Sequence, residues 1–135
     1  MNHISDRQGI INRIRRLIKL EIIRRVGCAC VKCKKQLMLD EVDLDEIGGR
    51  HTVSDLPGAL NPENMQLLDR LCHGEKTNAG HVDYRDRKTV EKMHGFANEI
   101  RSFLPPKSEN MKHRLEDIEI AVIRAIGKRK GLEDV

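Results

Sequence analysis

The sequence predicts an α+β fold in which a small, metal-supported core is flanked by an N-terminal and a C-terminal helix. Three observations point there. Cys28, Cys30 and Cys33 fall within six residues and Cys72 follows later, a spacing that suits metal capture better than a disulfide framework. Apolar residues recur at helical spacing near both ends, while the segment between them has the shorter apolar repeats of strands. Only 2% of the 135 residues are aromatic, so the core must be built from Ile, Leu, Val and Met, and a bound metal would help to hold it.

The first element, residues 1–26, reads as a basic amphipathic helix. Ser5 or Asp6 can cap it, Ile10, Ile11, Ile14, Leu17, Ile18 and Ile22 form its apolar stripe, and Gly27 ends it. Arg13, Arg16 and Lys19 lie on the other face, as a solvated exterior or as a surface for DNA phosphates.

Residues 27–80 read as the core. After the cysteine-rich turn, Leu37, Leu39, Val42, Leu44 and Ile47 suggest one or two short strands around an acidic bend, closed by Gly48-Gly49. Residues 50–63 read as a loop through Pro57, Gly58, Asn61 and Pro62, and a short helix is expected from Cys72-His73 onward.

Residues 81–135 read as helical. One helix spans Thr89 to Leu104 and stops at Pro105-Pro106. Ser108 can cap another, with Leu115, Ile118, Val122 and Ile126 on one stripe, either packing on the first helix or forming a homodimer surface.

The net charge of +4 is modest but unevenly placed. Basic residues crowd the first 35 positions, and Asp40, Glu41, Asp43, Asp45 and Glu46 follow closely. A basic surface beside carboxylates suits a protein that grips a phosphate backbone and holds a divalent cation against it, although a solvated helix and an acidic loop give the same pattern. With no apolar run long enough for a bilayer and cysteines suited to a reducing compartment, the expectation is a cytoplasmic protein with no membrane partner.

Order and spacing together carry a resemblance. Cys30-Val31-Lys32-Cys33, Asp45, Gly48-Gly49, Asn64, Leu67-Leu68, Cys72-His73 and Lys76-Thr77 resemble the HNH endonucleases, zinc-supported proteins with a ββα-metal core, and most nearly their small phage-type members. The resemblance covers residues 26–78. It implies a phage-encoded, metal-dependent DNA endonuclease acting in the host cell. Structural Zn2+ would be held by Cys30, Cys33 and Cys72, with Asp69 preferred over Cys28 as fourth ligand. Asp45 and His73 would hold a catalytic cation, Mg2+, Mn2+ or Ni2+, while Asn64 braces the loop and Lys76 meets a phosphate.

Two positions depart from the family pattern. Asp69 stands where the second knuckle has a cysteine, and Glu46 stands where the family has its general-base histidine. A carboxylate is a weaker base than imidazole at neutral pH, and beside Asp45 it would form a pair favouring hard cations. His51, after the glycine turn, is the other candidate base. A DNA-binding module without turnover and a zinc-stabilised protein-interaction domain are the alternative readings.

Overall fold

The computed structural model describes residues 6–48, 56–80, 82–105 and 111–133. Helix α1 (Asp6–Val26) is followed by strands β1 (Val42–Glu46) and β2 (Met65–Asp69), then α2 (Arg70–Ala79), α3 (Arg87–Ser102) and α4 (Met111–Glu133). The described residues are thus mixed helix and strand, as an α+β chain requires, and β1, β2 and α2 follow one another as strand, strand, helix. No helix among them is long and apolar enough to cross a membrane.

The isoleucine stripe of α1 is buried as its spacing demands, with Ile14 and Ile18 fully covered. Burying each such side chain stabilises the fold by roughly 1.5–3 kcal/mol. The stripe packs with Val42 and Leu67 of the sheet, Phe96 and Ile100 of α3, and Ile118 and Val122 of α4. One core is therefore shared by all three sequence segments. Leu115, Ile118 and Val122 of α4 are buried inside this core, with Ile126 partly buried against it.

The sheet is a two-stranded antiparallel pair in which Asp45 lies opposite Gln66 and Asp43 opposite Leu68. Among the described residues of 27–48 there is one strand, accompanied by an isolated bridge between Ala29 and Gln36. Its partner is Met65–Asp69, a short run buried along four of its five residues, which lacks the alternation that marks a half-exposed strand. Helix α2 begins at Arg70, before Cys72, because Asp69 caps it: its Oδ1 accepts the Cys72 N–H at 2.7 Å. The final helix runs past Gly127 to Glu133, further than its apolar stripe suggests.

Asn64 braces the long connection between the strands. Its Oδ1 accepts the Gly48 N–H at 2.7 Å and its Nδ2 donates to the Gly58 carbonyl at 3.1 Å. A Cβ at Gly48 would stand 3.0 Å from Asn64 Oδ1 and would crowd the amide that braces the connection. Gly49, His51, His81 and Ser108 lie outside the described residues.

Candidate functional site

The knuckle is built by backbone geometry. Lys34 turns the chain with a positive φ of 68°, its N–H donating to the Cys30 carbonyl at 2.9 Å, while the Cys30 N–H returns to the Lys35 carbonyl at 3.0 Å. Val31 N–H donates to the Leu67 carbonyl at 2.9 Å and fastens the turn to β2. Across from it, the Asp69 cap and the first turn of α2 deliver Asp69 and Cys72.

One ligand atom from each of Cys30, Cys33, Asp69 and Cys72 lies within 4.8 Å of all the others. Tetrahedral zinc with Zn–S near 2.3 Å would separate neighbouring sulfurs by about 3.8 Å, so these donors fit a metal ion such as zinc. Asp69 Oδ2 is 3.1 Å from Cys33 Sγ and 3.6 Å from Cys72 Sγ, leaving Oδ1 on the helix cap. Cys28 instead packs partly buried against the main core.

The cluster's charges are uneven. Burial opposes ionisation of Cys30, but the N–H groups of Cys33, Asp69 and Lys32 outweigh it and lower the thiol's pKa. Burial pushes the Cys72 thiol up to about 12, with its bonding to Cys30 and Cys33 acting in the same direction. The Asp69 carboxyl is held below its ordinary value, first by the Cys72 N–H and then by Cys33. Tyr84 and Leu37 pack beside the buried sulfurs.

A second cluster lies one residue further along α2. Alternation along β1 puts Asp43 and Asp45 on one face, toward α2, and His73 and Lys76, three residues apart, share a helix face toward them. His73 Nε2 is 3.2 Å from Asp45 Oδ1, and His73 Nδ1 is 3.1 Å from Asp43 Oδ2. Lys76 Nζ stands 3.3 Å from the same Asp45 oxygen and donates to the Glu46 carbonyl at 3.2 Å. Gln66 Nε2 donates to Asp45 Oδ2 at 3.0 Å and to the Val82 carbonyl at 2.8 Å, while its Oε1 accepts the Tyr84 N–H at 2.9 Å.

Asp45 is only 4% exposed, so these donors supply what water would otherwise provide. Asp45 and His73 thus meet as the sequence predicts. Asp43 on Nδ1 orients the ring with Nε2 toward Asp45.

Other expectations are corrected. Glu46 points away from Asp45, toward α1, where Arg15 donates to its Oε1 at 2.8 Å and also reaches the Ala59 carbonyl. Strand alternation therefore breaks up the expected Asp45–Glu46 pair. Lys76 is 6% exposed and is held inside the cluster. Asp43, Gln66 and Arg15 escaped sequence reasoning; the period-two spacing of Asp43 and Asp45 was the one signal that could have revealed Asp43.

Beside the second cluster opens a groove of about 760 Å³, whose lining includes Arg13, Arg16 and Lys19 of α1 with Asp43, Leu44 and His73. Arg13 is paired with Glu119 at 2.9 Å. Arg16 is exposed and Lys19 half-buried. The basic face of α1 and the half-exposed imidazole therefore line one depression.

No protein-family model, curated protein or solved structure matches this chain.

Proposed function

We propose that this protein is a zinc-supported, divalent-metal-dependent DNA endonuclease of the HNH type, with a ββα-metal core formed by β1, β2 and α2. The observation that carries the reading is the meeting of Asp45 Oδ1 and His73 Nε2 at 3.2 Å beside the basic groove of α1. Zinc suits the three thiolates and one carboxylate below them, where soft sulfur dominates the donor set.

In this reading Asp45 and His73 hold Mg2+, Mn2+ or Ni2+. When bound, such a cation polarises a phosphodiester and stabilises the departing oxygen. Asp43 fixes the tautomer of His73, and Gln66 fixes the Asp45 carboxylate. Arg16 and Lys19 neutralise backbone phosphates in the groove. Glu46 occupies the sequence position of the base and would accept a proton from the attacking water only on release from Arg15, while Asn64 holds the connection behind it.

A second reading is a DNA-binding module without turnover. It draws support from the Arg15–Glu46 contact, which engages the carboxylate that would serve as base. A plasmid-nicking assay with Mg2+, Mn2+ and Ni2+ separates the two. The endonuclease reading expects cleavage that falls by about 10²–10³ in His73→Ala, the scale for losing one group that stabilises developing charge. Cleavage equal in both proteins, or absent with every metal, sinks it. Cleavage appearing only after Glu46→His establishes the second reading.

A further inference from the structure

The Asp45 carboxylate already has a cation. Lys76 Nζ lies 3.3 Å from Asp45 Oδ1, the oxygen that also faces His73, and both residues are almost wholly buried, at 6% and 4% exposure. Lys76 owes this position to the helix: Asp69 caps α2 at one end, Gly80 N–H closes on the Lys76 carbonyl at the other, and the i, i+3 spacing aligns Lys76 with His73. The ammonium is further held by the Glu46 carbonyl at 3.2 Å.

A divalent ion at Asp45 and His73 would stand within a few ångströms of that ammonium. The repulsion is strong in so dry a place. Among the described residues, moreover, no third His, Cys, Asp or Glu converges with Asp45 and His73; the one such cluster of three or more is the cysteine site. Hard divalent cations with two protein donors complete their shell with water and with phosphate oxygens of the substrate.

We propose that Lys76 is a built-in competitor for Asp45, one that a nucleic-acid phosphate draws away, so that divalent-cation binding and nucleic-acid binding depend on each other. This rests on the endonuclease reading of the Asp45–His73 site. Lysine suits the task because its compact charge rides on a flexible four-carbon stem, able to exchange a carboxylate for a phosphate. The coupling is reciprocal: if phosphate raises metal affinity by some factor, the metal raises nucleic-acid affinity by the same factor. Lys76 is thus a positioning residue, acting through Asp45.

The test is Mn2+ binding to the zinc-loaded full chain, read by the electron paramagnetic resonance of free Mn2+, with and without a hydrolysis-resistant phosphorothioate duplex. His73→Ala identifies the site-specific component. In the wild type that component should be weak alone and tighten at least about ten-fold with duplex, the effect of a single close charge contact near a protein surface. Lys76→Met should bind Mn2+ at least about ten-fold tighter without duplex and gain little from it, whereas Lys76→Arg, keeping the charge, should behave as wild type. Lys76→Gln replaces the Met variant if circular dichroism shows that variant to be unfolded. His73-dependent binding that is indifferent to the charge at position 76 overturns the competitor role and leaves the endonuclease reading standing. Absence of His73-dependent binding in every protein, duplex present, overturns both.

Discussion

Two polar clusters hang from the first turns of α2, and they solve opposite problems. At Cys30, Cys33, Asp69 and Cys72 the donors converge on a common centre and are almost all anionic or weakly acidic. At Asp43, His73, Asp45 and Lys76 carboxylates alternate with nitrogen groups, so the oxygens of Asp45 are already engaged. The first is complete once it takes a metal. The second must exchange a partner to bind anything. Asp69 joins them, since one oxygen caps the helix that carries His73 and Lys76 while the other faces the sulfurs.

The largest expected effect breaks the first cluster. Cys30→Ser removes the buried sulfur that three backbone N–H groups address. Because metal affinity in such a small knuckle is also folding free energy, the loss should cost several kcal/mol. Zinc stoichiometry measured together with thermal unfolding checks this, and a variant that loses its metal without losing stability would mean that the knuckle is not structural. Helix α2 should loosen with it, carrying the second cluster out of register.

The converse change should be local. Asp43→Asn keeps the size of the side chain but removes the charge behind His73 Nδ1. In the endonuclease reading, divalent-metal affinity and cleavage should fall by about 10–100-fold, the usual cost of losing a carboxylate behind a metal-binding histidine. Zinc content and melting temperature should stay as in the wild type. If both clusters failed together, their separation would be only apparent.

How far each cluster was legible in the sequence follows from what encodes it. Cys30-x-x-Cys33 is a local spacing, so the sequence reveals it, just as it reveals the apolar stripe of α1; the Asp69 cap is also local, yet the sequence predicts the helix only from Cys72 onward. Asp45 and His73 came through the family resemblance. Asp43 and Gln66 depend on strand alternation and on a register with β2, and Met65–Asp69 is too short and too evenly buried to declare itself a strand. Arg15 on Glu46 is a tertiary contact across 31 positions, beyond any local pattern. The contact of Lys76 with Asp45 joins positions 31 apart, and only the fold shows it.

The smallest effect lies outside both clusters and asks whether their scaffold is independent of them. Glu63, in the turn before β2, is engaged by Arg101 and His94 of α3. Burial opposes its ionisation, but these two partners outweigh it and hold the carboxyl below its ordinary 4.5. A carboxyl depressed in the folded state contributes stability that is present above the unfolded value and is lost as pH falls through the folded one. The contribution of Glu63 should therefore be intact at neutral pH, begin to decline near pH 4.5 and be gone only once pH falls below the lower folded value. Glu63→Gln should cost about 1 kcal/mol or less at pH 7. Below pH 4.5 the melting curves of variant and wild type should draw together progressively. Protonation of the metal-binding thiolates weakens both proteins alike, so the difference between the curves isolates Glu63. Zinc content and Mn2+ binding should be unchanged at neutral pH. If either moved with Glu63, the turn before β2 would be transmitting strain along the strand to Asp69 and Gln66, and the two clusters would share more than a helix.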